Sequence, residues 1–163
     1  GDINLSNYTF ITTTQSADRV RVRGMELEYS QSLSFLPHPF KGLNVRASYT
    51  RNYAEIPTVN MIPHSINGGI SYSLRRVNVY ANLNWRDNYP NIITGTPQFY
   101  RHRMDVDIGG GYRINDRMNF LFSARNIFNV PYVVMQQVGA NPAVSRIYEV
   151  NGINWTFGVK TVF

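Results

Sequence analysis

Apolar and polar residues alternate along most of this chain with a period of two. Near its end, Ile153, Trp155, Phe157, Val159, Thr161 and Phe163 share one parity, while Gly152, Asn154, Thr156, Gly158 and Lys160 share the other; only Val162 departs. That period is the mark of a β-strand with one apolar and one polar face. The alternation runs to a final aromatic. Chain ends of soluble domains usually fray, whereas the closing strand of a membrane barrel must pair along its length.

The same rhythm recurs upstream. Residues 3–14 are β-prone, as a strand or the edge of a long loop. From Val20 onward, Val22, Leu27, Tyr29, Leu33 and Phe35 interleave with Glu26, Glu28, Ser30, Ser32 and Ser34. A slip of phase at Gly24-Met25 predicts a bulge. A proline and glycine turn closes this stretch at Leu36–Gly42. Next, Leu43, Val45, Ala47 and Tyr49 alternate with Asn44, Arg46, Ser48 and Thr50. After a connection over 53–64, Ile66, Gly68, Ile70, Tyr72 and Leu74 oppose Asn67, Gly69, Ser71 and Ser73. Arg75-Arg76 predicts a tight turn into Val77, Val79, Ala81, Leu83 and Trp85, set against Asn78, Tyr80, Asn82, Asn84 and Arg86.

A loop over 87–100 leads to Met104, Val106, Ile108, Gly110 and Tyr112 against Asp105, Asp107, Gly109 and Gly111. A short turn at 113–117 precedes Met118, Phe120, Phe122 and Ala124, which oppose Asn119, Ser123 and Arg125, with Leu121 the exception. A long loop over 129–145 reaches the final strand. No helical periodicity of useful length occurs. The expected class is all-β: antiparallel transmembrane β-barrel strands, about seven or eight in number, in one segment over 1–163.

Two patterns favour a barrel over a sandwich. The alternating stretches approach the roughly 9–11 residues of a membrane-spanning strand, longer than the roughly 5–6 common elsewhere. Connections alternate short and long, as where short turns face the periplasm and long loops face outward. That rhythm sends the last strand downward, with Trp155 near the outer interface and Phe163 near the inner one.

Composition narrows the picture further. Cysteine is absent, which removes disulfides, thiolate metal sites and cysteine nucleophiles. His38, His64 and His102 are scattered and read as turn or surface residues without a metal role. The net charge of +6 comes from small groups near strand ends, such as Arg19, Arg21 and Arg23, with no basic stripe for nucleic acid. Asp105 and Asp107, at i and i+2 on one strand, share the polar face and do not form an acid–base pair. No nucleophile–base set is recoverable, and Gly109–Gly111 lacks the context of a phosphate loop. An enzyme is not expected.

With the strands placed, three stretches resemble the C-terminal part of a TonB-dependent outer-membrane receptor. Val22-Arg-Gly-Met-Glu-Leu-Glu28 is similar to the start of a barrel strand in that family. Arg125-Asn-Ile-Phe-Asn-Val-Pro-Tyr132 resembles the element before its last loop, and Gly152–Phe163 resembles its terminal strand. The resemblance covers most of residues 20–163.

It implies active uptake of a scarce solute (a siderophore, cobalamin or oligosaccharide type) across the bacterial outer membrane. The family's barrel has about 22 strands around an N-terminal plug. No plug is expected within 1–163, and contact with the TonB complex would come through an N-terminal part. Implied partners are lipid, lipopolysaccharide, the barrel-assembly machinery and a small-molecule substrate, with no cofactor. Phe157 and Phe163 would belong to the assembly signal of the terminal strand.

On the polar face, Asn44, Arg46, Asn82, Asn84, Asp105, Asp107 and Arg125 are candidates to face the lumen or a substrate. Arg101 and Arg103 are outer-rim candidates for an anion, weighed against solvated rim charge. Trp85, Tyr112 and Trp155, with Tyr89, are candidates for aromatic girdles. Two other readings stand beside the receptor: a small autonomous eight-stranded outer-membrane barrel with a structural or adhesive role, and a soluble β-rich binding module.

Overall fold

A computed structural model describes residues 19–92 and 96–162 of the chain. The protein is all-β and antiparallel, in two sheets. Seven long strands form the first: β1 (Val22–Ser32), β2 (Leu43–Ala54), β3 (His64–Leu74), β4 (Val77–Arg86), β7 (Arg103–Asn115), β8 (Met118–Arg125) and β11 (Asn154–Thr161). Four short strands form the second: β5 (Tyr89–Ile92), β6 (Gln98–Tyr100), β9 (Tyr132–Gln136) and β10 (Val144–Glu149). In the large sheet, spatial order follows chain order from β1 to β4 and on through β7, β8 and β11.

Register carries the alternation across the sheet. Ser30 lies opposite Arg46, Arg46 opposite Gly69, Gly69 opposite Asn82, and Asn82 opposite Asp107. Directly paired residues project to the same side. The polar parities of all seven strands therefore share one face, and the apolar parities share the other.

Little lies over the apolar face among the described residues. Among the described residues, the buried apolar side chains are Ala124, Val133 and Val134, and the valines belong to the small sheet. Leu27 is 58% exposed, Phe157 64% and Val159 61%. Trp155 stacks parallel to Phe157 at 6.3 Å, and Phe157 meets Phe120 at 6.4 Å, so aromatic rings run along this face. A single sheet has no second layer to bury its apolar side against.

The connections differ at the two ends. At one end, Arg75-Arg76 and Asp116-Arg117 make tight turns, and Leu33–Gly42 ends in a single 3-10 turn at Phe40–Gly42. At the other, residues 87–102 and 126–153 supply the four strands of the small sheet, in the order β10, β9, β6, β5. Sequence reading placed only loops there. These strands are short, Pro90 lies within β5 and Pro131 directly precedes β9, and their pairing joins segments distant in the chain. The third connection at this end is tied on as well: Asn60 N–H donates to Pro90 O at 2.8 Å.

The bulge expected at Gly24-Met25 is absent. Val22–Ser32 pairs with Asn44–Ala54 in unbroken register. Met25 therefore joins Leu27 and Tyr29 on the apolar face, and Val22, 55% exposed, ends the polar one. A register shift does occur between Arg113 and Asn115, where β7 extends nearly to its turn. Five strands of the large sheet span 10 to 13 residues, but β8 and β11 have 8 each. Left-handed backbone at Asn126 follows the end of β8. Among the described residues β1 and β11 are the sheet's edges and do not pair with each other. Residues 3–14, expected as a strand or the edge of a long loop, and the terminal Phe163 lie outside the described residues.

Candidate functional site

The candidate site is the polar face of the large sheet, where three hollows of about 660, 400 and 450 Å³ lie between side chains. Its middle is built from amides, hydroxyls and a clamped arginine. Arg46 Nη2 donates to Asn82 Oδ1 at 2.8 Å, two strands away. The residue between them is Gly69, where a Cβ would stand 2.6 Å from Arg46 Nε. The missing side chain is what lets the guanidinium cross. Asn67 Nδ2 donates to Ser48 Oγ at 3.3 Å in the adjacent row. The Tyr80 ring lies over Gly109 in the same manner, its hydroxyl oxygen 2.5 Å from where a Cβ would be.

Toward the structured connections the face becomes ionic. Arg103 holds Asp105 Oδ1 with both Nε and Nη2 at 2.6 Å, and Arg86 Nη2 approaches Oδ2 at 3.4 Å. The Asp105 and Arg103 side chains are about one-fifth exposed. Partial desolvation strengthens such a charge-assisted fork beyond an open surface pair. Asp107, one row inward, accepts the backbone N–H of Asn126 at 2.9 Å. It anchors the start of the longest connection.

That connection opens with a built turn. Asn126 and Asn129 have φ of 53° and 50°, a region that asparagine tolerates better than most side chains. Asn126 accepts Val130 N–H through Oδ1 at 2.8 Å and donates Nδ2 to Val130 O at 3.2 Å. Phe128, at its tip, is 63% exposed. The asparagines of the Arg125–Tyr132 stretch thus have a local physical reason.

Beyond it, Tyr89, Tyr100 and Tyr132 cluster on the small sheet, their rings tilted with successive centroids 4.5 and 5.4 Å apart. Partial burial, aided by Tyr100, pushes the Tyr132 hydroxyl up to about 12. Tyr89 therefore belongs to this loop cluster and leaves the girdle candidates. Trp85, Tyr112 and Trp155 do lie on the apolar face, Trp85 opposite Ile66 and Met104, and Tyr112 opposite Val77 and Phe120.

All seven lumen candidates (Asn44, Arg46, Asn82, Asn84, Asp105, Asp107 and Arg125) occupy the one polar face, and the register brings Arg46, Asn82 and Asp107 into a single row. Asn44 lies opposite Ser71, Asn84 opposite Asp105, and Arg125 opposite Asn154. The two rim arginines part company. Arg103 is committed to Asp105, whereas the exposed Arg101 lies between β6 and β7, its N–H donating to Val133 O at 3.0 Å. His64 is in β3 and not in a turn; its Nδ1 is 2.8 Å from the Tyr49 hydroxyl on the apolar face. Sequence reading missed the Arg103–Asp105 fork, although their i, i+2 spacing placed both on one face. It also missed the cations Arg113 and Lys160 at the turn end, whose nearness depends on register.

Comparison with known protein families, curated proteins and solved structures finds no match for this chain.

Proposed function

We propose that this chain is the C-terminal barrel portion of a TonB-dependent receptor in a bacterial outer membrane, taking up a scarce small solute. The observation that carries the proposal is the division of the seven-stranded sheet into one uncovered apolar face and one continuous polar face. In water, an exposed apolar surface of this extent is costly. In a bilayer it is the outer wall of a barrel, and the polar face becomes the lumen.

Supporting features are local. Strands of 10 to 13 residues suit a tilted span. Tight turns gather at one end of the sheet and structured connections at the other, as periplasmic turns and outer loops do. In this reading the edges of β1 and β11 continue into the remainder of the barrel, since an unpaired edge cannot face lipid. Trp85 and Trp155 stand toward the outer interface and Tyr112 toward the inner one. Arg46, Asn82 and Asp107 line the path beside a plug supplied by the N-terminal part, through which TonB delivers energy.

The test compares arginine on the two faces of β11 in the complete receptor. Arginine at mid-depth on a lipid face costs about 2–4 kcal/mol. Phe157→Arg should sharply reduce heat-modifiable receptor in the outer-membrane fraction, while Thr156→Arg, one residue away, should assemble. Equal assembly of the two, or recovery of the protein folded in detergent-free buffer, would overturn the reading.

A further inference from the structure

We infer that the hollow at the turn end of the polar face is a binding site for a hydroxyl-rich solute carrying a phosphate or carboxylate group. This inference rests on the receptor reading for its biological meaning, because it narrows the class of solute that the lumen accepts.

The first observation is charge. Arg75, Arg76, Arg113 and Lys160 line one hollow of about 660 Å³, and no carboxylate among the described residues lines it. None of the four has an ion-pair partner within 4 Å among the described residues. The other end of the same face behaves differently, for there Arg86 and Arg103 share the Asp105 carboxylate. The fold therefore places two carboxylate-paired arginines at one end and a cluster of four cations with no carboxylate partner among the described residues at the other. Neighbouring like charges repel, and a bound anion relieves that repulsion.

The second observation is shape. Gly111, Leu121 and Gly158 occupy one row across β7, β8 and β11. A Cβ at Gly158 would meet nothing within 4 Å, and at Gly111 it would touch Leu121 Cδ2 at 3.0 Å. Bare backbone at Gly158 thus leaves the floor open beside Leu121, which covers Gly111 and forms a small apolar patch of the kind on which a sugar ring rests. Such a volume falls within the range of about 300–1,000 Å³ usual for small-ligand sites.

The third observation is the donor set. Ser123 and Thr156 present hydroxyls, and Asn78 and Asn119 present amides, around the floor. These groups both donate and accept, as hydroxyl-rich ligands require. The cations are partly held in place. Arg76 Nη1 donates to Ile114 O at 3.3 Å, and Arg113 N–H donates to Arg76 O at 2.8 Å. Arg113 and Lys160 then approach from β7 and β11, on opposite sides of Asn119.

The experiment measures binding of glucose 6-phosphate, glucuronate and uncharged glucose to the complete receptor in detergent, by calorimetry at low salt. The two anions should bind, and glucose should bind at least about tenfold more weakly, the equivalent of about 1.4 kcal/mol. Raising salt tenfold should weaken the anions and leave glucose unchanged. Arg113→Gln combined with Lys160→Gln should lower anion affinity by about tenfold or more, while Arg146→Gln, on β10 of the small sheet at the opposite end, should leave it intact. Equal binding of glucose and its phosphate, no salt dependence in the wild-type protein, or equal losses in the two variants would overturn the site. The salt titration needs no variant, so misfolding cannot hide the answer. Failure here with Phe157→Arg still blocking assembly removes the anion site alone; binding by a protein absent from the outer membrane removes the receptor reading and leaves the site standing.

Discussion

Arg46 and Asn82 touch across a strand that offers nothing between them. The guanidinium passes over the bare backbone of Gly69 to reach Asn82 Oδ1 at 2.8 Å. Gly69→Ala should displace Arg46, because the new Cβ would stand 2.6 Å from Nε and 3.0 Å from Asn82 Oδ1. The arginine is flexible and exposed, so the loss should be only about 0.5–1.5 kcal/mol. Non-additivity is the sharper expectation. Once Gly69→Ala has broken the contact, adding Asn82→Ala should cost almost nothing more in a double-mutant cycle. Fully additive losses in denaturant unfolding would disprove the crossing.

At the ionic end, the two arginines and Asp105 should respond unequally. Asp105→Asn strands Arg103 and Arg86 together and should cost about 1–3 kcal/mol. Arg103→Gln should cost less, because Arg86 remains to meet the carboxylate. Reversed ranking of these variants in unfolding measurements would mean that Arg86 takes no share of Asp105.

Asn126 combines a left-handed backbone with a side chain that brackets Val130. Asn126→Gly keeps the backbone relaxed but loses both hydrogen bonds, and Asn126→Ala loses the bonds and strains φ as well. Both should speed hydrogen exchange at the Val130 amide, with alanine the more damaging by about 1 kcal/mol. Unchanged exchange at Val130 in either variant would show that the side chain is not what closes this turn.

Tyr132 sets a pH limit on the small sheet. Its hydroxyl is raised from 10.0 to about 12 in the folded chain. The folded state therefore keeps this proton in the range where the unfolded state releases it. The stability this group contributes is complete below pH 10 and falls away as pH climbs toward 12. In an alkaline titration followed by phenolate absorbance, Tyr132→Phe should delete a tyrosine that ionises near 12. Loss of one that ionises near 10 would contradict the packing of Tyr132 against Tyr100.

The seven long strands were legible because each obeys one rule over many residues: apolar to one side, polar to the other. Leu121 broke parity visibly and is indeed on the polar face, filling the space over Gly111. Val22 misled, because an apolar residue at the exposed end of a strand suggests a change of phase when pairing shows none. Strands β5, β6, β9 and β10 left too short a trace, with three to six residues each. Their existence depends on partners remote in the chain. The Arg103–Asp105 fork could be anticipated from spacing, whereas the grouping of Arg76, Arg113 and Lys160 required knowing which strands are neighbours.

The small sheet has a further consequence for how this protein can change over generations. Connections between neighbouring strands ordinarily drift independently, each free to lengthen or shrink. Here β6 pairs with β9, so residues 87–102 and 126–153 share a single hydrogen-bonding register. An insertion within either strand would shift side chains in both connections at once. Substitutions on these strands should therefore travel in pairs, and free variation should collect in the turn at 138–143, beyond the Gln137 N–H that is still tied to Pro97 O.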